Sequence, residues 1–138
     1  MRQFLLDTNI CIFFLKGKYQ LARQIKEAGE QNCFISEITV AELKYGVENS
    51  PKRDELDVVI QSFLPKFTIL PVFEALDIYA QEKARLRRSG SLIGDLDILI
   101  GATAIFYNMT VVTNNVSHLS RLENSIIEDW TTAPFQQP

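Results

Sequence analysis

The chain has a single histidine, His118, and only two cysteines, Cys11 and Cys33. Neither cysteine belongs to a CxxC pair or to any Cys/His ligand spacing. A zinc site built mainly from imidazole and thiolate is therefore excluded, as is any mechanism that needs two histidines from one chain. Both thiols stand in apolar company, which predicts buried, reduced cysteines in a cytoplasmic protein. No apolar run approaches the roughly 20 residues that a membrane span requires. The first residues, one arginine and then a strand-like run, lack the pattern of a secretory leader. Phosphate loops of the GxGxxG or Walker A kind are missing, and so is the GxSxG of hydrolase nucleophiles. Positive charge is also short: 14 Lys and Arg face 17 Asp and Glu, for a net charge of −3. A strongly electrostatic nucleic-acid binder would be basic. A nucleic acid held by a local basic rim and metal ions stays open.

What is present suits one globular domain. At 138 residues, a chain buries about two-thirds of its unfolded surface on folding. Hydrophobic residues at 46% and charged residues at 22% are ordinary for a soluble protein. Short apolar runs at Phe4–Leu6, Cys33–Ser36, Phe67–Leu70, Thr110–Thr113 and Ile126–Ile127 read as strands buried on both faces. Helical patterns alternate with them: Ile10–Leu15, a second around Tyr19, Ala22, Ile25 and Ala28, then Ile38–Glu48. Ser50-Pro51 predicts the start of a fourth, with Ser as N-cap and Pro first, and with Leu56, Val59, Ile60 and Phe63 on its buried face. A long helix from Leu76 to Gly90 and another from Asp95 to Tyr107 follow. Strands alternating with helices predict a three-layer α/β/α domain with a short-stranded, mainly parallel sheet. Thr131–Pro138 shows little pattern and is expected to be a flexible tail.

Most acids, among them Glu27, Glu30, Asp54, Glu55, Glu82 and Glu123, fall on faces expected to be solvated. Three do not. Asp7 ends the first strand, where the loops of an open α/β sheet bind ligands; it would also serve as a helix cap. Glu42 lies beside Ile38, Ala41 and Tyr45 on a face expected to be core, where an unpartnered carboxylate costs several kcal/mol. Asp97 sits in the run Leu96 to Ile105, apolar nearly all round, and shares a side with Ile100, Gly101 and Ala104. Asp95 points roughly 200° away around the helix and is assigned as its N-cap, leaving Asp97 as an inward carboxylate in the first turn. Acids from one strand end and two helices, without His or Cys, predict an oxygen-only site suited to Mg2+ or Mn2+. Such an ion activates water for in-line phosphodiester hydrolysis.

These segments carry a family resemblance. Leu6-Asp7-Thr8-Asn9-Ile10, Ile38 to Glu48, Ile93 to Ala102, Val112-Thr113-Asn114-Asn115-Val116 and Ile127-Glu128-Asp129-Trp130 resemble, in order and spacing, a PIN-domain ribonuclease of the VapC toxin type. The resemblance implies a single PIN domain over residues 1–130 and an acidic centre of Asp7, Glu42 and Asp97. Asp7 and Asp97 would be the main Mg2+ ligands, with Mn2+ as a possible substitute. Thr8 and Thr113 would hydrogen-bond the acids. Where many such domains carry a fourth acid, this chain has Asn115, and His118 follows three residues on and is read as a surface residue. Lys16, Lys18, Lys44, Lys52, Arg53, Arg85, Arg87 and Arg88 are candidates to grip phosphates. The same resemblance implies a toxin that cleaves RNA at a structured tRNA or rRNA site and is neutralised by a cognate VapB-like antitoxin. It also implies a homodimer or a toxin–antitoxin hetero-oligomer. Two alternatives stand beside it: a catalytically silent domain of the same fold, and a haloacid-dehalogenase-like phosphatase, which would need Asp where Asn9 stands.

Overall fold

Phe4 and Leu6 face one side of a central sheet and Leu5 faces the other, and all three are essentially inaccessible to solvent. This alternation, repeated by Val112 and Val111 on the neighbouring strand, creates two hydrophobic cores. A strand buried on both faces needs helices on both, and the chain supplies them. The computed structural model describes residues 2–135. Its strands are β1 (Phe4–Leu6), β2 (Cys33–Ser36), β3 (Thr68–Leu70), β4 (Thr110–Val112) and β5 (Ile126–Glu128). Its helices are α1 (Thr8–Leu15), α2 (Leu21–Ala28), α3 (Glu37–Glu48), α4 (Arg53–Phe63), α5 (Leu76–Arg88), α6 (Asp95–Phe106) and α7 (Val116–Leu119).

The strand order is β3-β2-β1-β4-β5, and every pairing is parallel. The expected three-layer α/β/α domain is therefore what the chain forms, with a wholly parallel sheet. Helices α1 to α4 pack mainly on the Phe4–Leu6 face, and α5, α6 and α7 on the Leu5 face. Because β2 lies on one side of β1 and β4 on the other, the order reverses between β1 and β4. Their C-terminal ends open the crevice where such sheets bind ligands. Cys11 and Cys33 are free and buried, as expected, and burial pushes the Cys33 thiol up to about 12.

Several local expectations are corrected. Asp95 is the first residue of α6, not its cap; Gly94 holds the cap position, and Asp95 instead pairs with Lys83 at 2.7 Å and accepts from the Tyr79 hydroxyl at 3.0 Å. Ser50-Pro51 forms a turn before α4, whose cap is Lys52; the Ser50 hydroxyl accepts from the Lys52 amide. Val59 is not core but exposed, so Ile60 and Phe63 carry the buried face of α4. On α2 the buried side is Leu21, Gln24 and Ile25 rather than Ala22. Gln24 is accommodated because its Nε2 donates to the Tyr19 and Trp130 carbonyls and its Oε1 accepts from the Phe135 amide. That bond and edge contacts of Phe135 with Phe4 and Trp130 seat the described part of the expected tail; residues 136–138 lie outside the described residues. Glu82, expected to be solvated, is buried. It accepts two bonds from Arg85 and one from the Glu123 amide, and the Arg85 guanidinium holds its carboxyl below the usual range.

One glycine sets how closely α6 meets α7. A Cβ at Gly101 would overlap Cδ1 of Leu122 and stand 3.2 Å from Cδ1 of Leu119. Gly101→Val is expected to lower the unfolding free energy by about 2 kcal/mol or more, the cost of overpacking a filled core. Urea denaturation monitored by circular dichroism measures it; an unchanged midpoint would contradict this packing role.

Candidate active site

The crevice is assembled from the residue that follows β1. Asp7 continues the sheet, its amide donating to the Val112 carbonyl at 2.9 Å, and then caps α1. Its Oδ1 accepts from the Thr8 amide at 2.8 Å and its Oδ2 from the Thr113 hydroxyl at 2.7 Å. The cap role expected of Asp7 is thus filled, by a side chain that also reaches across to β4. Only 5% of it is exposed. Burial raises its pKa, the two hydrogen bonds lower it, and the charges of Asp97 and Glu42 raise it again; burial prevails and the result is a shift upward.

Glu42 reaches the same crevice from α3. Its Oε1 accepts from the Thr8 hydroxyl at 2.6 Å, and that hydroxyl lies 3.0 Å from the Thr39 hydroxyl. Thr39 is fixed in turn because its amide donates to Ser36, the N-cap of α3, at 3.1 Å. The expectation that Glu42 stands on a core face is corrected. The core side of α3 is Thr39, Leu43 and Val47, while Ala41 and Tyr45 are exposed and Glu42 is half-buried at the boundary. A solvent-facing carboxylate tethered to a buried threonine suits a site better than a core position does.

Asp97 is half-buried in the first turn of α6, opposite in direction to Asp95, as the helical period requires. Its Oδ2 lies 3.4 Å from Nδ2 of Asn115 and 3.6 Å from Nδ1 of His118. Asn115 is tied back to the first acid through Thr113, whose hydroxyl accepts from the Asn115 amide at 2.9 Å. His118, expected at the surface, is there with 44% of its side chain exposed, and its Nδ1 lies 3.1 Å from Asn115 Nδ2. Sequence reasoning missed Thr39 and, for His118, the approach of its ring to Asp97. The Ser36-to-Thr39 spacing of a helix cap and the Asn115-to-His118 spacing of one helical turn were the available signals. Of the cations considered for phosphates, Arg53 is engaged by Glu48 and Asp54, and Arg85 by Glu82 and the Arg121 carbonyl. Lys16 stays beside Glu42 on the wall of a groove of about 360 Å³ whose other walls include Ile12, Leu15, Leu43 and Val59.

The charges indicate what the site can hold. Glu48, Glu82 and Asp95 each find an arginine or lysine. Among the described residues, Asp7, Glu42 and Asp97 find none. A buried carboxylate repelled by two others and left without a cation is a site for a bound one. No three His, Cys, Asp or Glu side chains among the described residues converge tightly enough to cage an ion alone. Mg2+ needs no such cage, since it is commonly held by one or two carboxylates and keeps several waters. The donor set is hard oxygen from Asp7 and Asp97, with Glu42 and Asn115 beside them.

Comparison with known proteins places the chain in a family. The PIN domain family model matches residues 4–123. The ribonuclease VapC2 of Rickettsia felis is 34% identical over 130 residues, 92% of this chain and 97% of that one. The tRNA(fMet)-specific endonuclease VapC of Salmonella typhimurium is 34% identical over 131 residues, 94% of this chain and 99% of that one. A solved chain of DNA-bound VapBC from Salmonella typhimurium superposes with a TM-score of 0.87 at 34% identity, covering 94% and 99% of the two chains. A parallel α/β sheet with acids at its switch point defines a PIN-domain nuclease fold. This chain belongs to the PIN domain family, and within it to the VapC ribonucleases. Neither the silent-domain nor the phosphatase alternative finds support in these relatives.

The upward shift of Asp7 makes a prediction about stability. Its folded pKa lies above the unfolded value, so ionising it costs stability as pH rises through that interval, and the cost is fully present above it. In chelator, Asp7→Asn is expected to be more stable than the parent at pH 7, since Asn still accepts from the Thr8 amide. The gain should shrink as pH falls through the ordinary carboxylate range. Urea midpoints at pH 7 and pH 4 test it; a variant less stable at both would show that the hydrogen bonds outweigh burial.

Proposed function

We propose that this chain is the toxin of a type II toxin–antitoxin pair, a Mg2+-dependent endoribonuclease that hydrolyses RNA phosphodiester bonds in the cytoplasm. The observation that carries the reading is the group of three acids without cation partners at the β1–β4 switch point. Asp7 and Asp97 are the residues that would hold the ion. Bound there, a divalent ion supplies Lewis acidity toward a phosphodiester oxygen and a more acidic water. The chain's own residues prepare for it. Thr113 and the Thr8 amide lock both oxygens of Asp7, so its carboxylate does not reorganise when substrate arrives. Thr8 occupies Oε1 of Glu42, which leaves Oε2 to orient the attacking water and take its proton. Asn115 steadies Asp97. Thr8, Thr113 and Asn115 are thus positioning residues.

The Salmonella relative is named for tRNA(fMet), so a structured tRNA site is the substrate class we assign, with tRNA(fMet) the first to try and an rRNA loop the next. Solved relatives are VapBC complexes, and the partner we assign is a VapB-like antitoxin, in a hetero-oligomer built on the toxin or its homodimer. The groove beside Glu42 suits an apolar antitoxin segment. Its walls are Ile12, Leu15, Leu43, Leu56 and Val59, and a chain laid there closes one approach to the acids.

Purified protein is expected to cleave RNA with Mg2+ or Mn2+ and to stop in chelator; full activity in chelator would refute the metal-dependent reading. Asp7→Asn and Asp97→Asn should each lower cleavage about a hundredfold or more, because the ion's contribution is several kcal/mol and each 1.36 kcal/mol is a factor of ten. Retention of growth arrest by either folded variant would remove that residue from the site. Val59→Glu should weaken co-purification of the antitoxin while RNA cleavage persists. Equal capture by parent and variant would place the antitoxin elsewhere.

A further inference from the structure

His118 has no part in the reading above, yet its ring faces the centre. We propose that Asp97, Asn115 and His118 form a mixed oxygen–nitrogen cradle in which Nδ1 of His118 ligates a transition-metal dication, so that this centre takes Mn2+ in preference to Mg2+. The proposal rests on the metal-dependent reading and adds a ligand of a different chemical kind.

Three distances carry it. Asp97 Oδ2, the Asn115 amide end and His118 Nδ1 form a triangle with sides of 3.4, 3.1 and 3.6 Å. Adjacent ligands of a six-coordinate ion with bonds of about 2.1 Å stand about 3.0 Å apart. The triangle therefore contracts by only a few tenths of an ångström to become one face of such a shell. Nδ2 of Asn115 donates toward Asp97 Oδ2 and, in the tautomer with the Nδ1 lone pair free, toward His118 Nδ1 as well, so that two lone pairs then point at one corner. A half-turn of the Asn115 carboxamide presents Oδ1 in its place, and all three corners then offer lone pairs. With Nδ1 as the lone-pair nitrogen, Nε2 carries the ring proton.

The backbone that carries two corners of the triangle is held by the fold. The Asn115 amide is pinned by Thr113, and its carbonyl accepts from the amides of His118 and Leu119. Leu119 is fully buried against the Gly101 side of α6, the helix that carries Asp97 one turn earlier. Imidazole discriminates among ions: it suits Zn2+, Cu2+, Fe2+ and Ni2+ best, and although Mn2+ and Mg2+ both favour oxygen, Mn2+ accepts a nitrogen ligand more readily than the hard, reluctantly dehydrated Mg2+. With an imidazole at the third corner, the site favours Mn2+.

His118 is the only histidine in the chain, so in untagged protein the spectroscopic signature has one possible source. Mn2+ bound to the parent, followed by pulsed EPR, is expected to show the nitrogen modulation of a coordinated imidazole. In His118→Ala that modulation should vanish and Mn2+ affinity should fall roughly tenfold or more, since even outer partners of metal ligands are worth that much. Mg2+ affinity, measured by competition, should change far less. His118→Asp should also lose the modulation yet retain metal binding, with its preference moved toward Mg2+. Mn2+ bound to the parent without nitrogen modulation, or with modulation that survives His118→Ala, would overturn the cradle and leave the metal-dependent reading standing. Failure of the parent to bind either ion would overturn both.

Discussion

A carboxylate almost wholly withdrawn from water, at the end of the central strand, is the constraint on which the rest of this molecule depends. Burial disfavours the Asp7 anion, and Asp97 and Glu42 disfavour it further. The chain answers with hydrogen bonds to both oxygens, from Thr113 on the neighbouring strand and from the first turn of α1. Those bonds orient the charge without neutralising it. An arginine in the crevice would have neutralised it and stabilised the apo-protein, but it would also have occupied the place of an ion. The fold tolerates a cost at one point and, among the described residues, leaves that carboxylate without a lysine or arginine.

Elsewhere the same sequence pairs its acids. Glu82 receives Arg85 and an amide from the loop after α7, so a buried carboxylate there ties α5 to the far side of α6. Asp95 receives Lys83, although Asp97, two residues on, receives no lysine or arginine. The contrast between these neighbours is geometric. A two-residue step turns one side chain toward α5 and the other toward the crevice. The missing Cβ of Gly101, one turn after Asp97, then lets α7 come close enough to bring Asn115 and His118 against it.

Where expectation and structure parted, a tertiary contact had overridden a local pattern. Ser50-Pro51 has the residues of a helix start, but the chain is still turning there, and α4 opens only at Arg53. Gln24 is a polar residue on the buried stripe of α2, and no local pattern reports that the Trp130 carbonyl and the Phe135 amide, with the nearby Tyr19 carbonyl, satisfy its amide there. Glu82 reads as solvated for the same reason. His118 reads as an isolated polar residue, because nothing local reports that its ring meets a carboxylate twenty-one positions earlier.

By itself the sequence determined the class of fold, since apolar runs three or four residues long, alternating with helical periods, have no other way to bury both faces of a strand. It also singled out Asp7 at a strand end and Asp97 in an apolar helix, and it named Glu42 on a core-face expectation that the structure moved to the boundary. Only the tertiary structure decided which acids remain without partners among the described residues, and that Thr39 and His118 stand beside them. Pairing and convergence depend on distances between segments tens of residues apart, and no local periodicity encodes those distances.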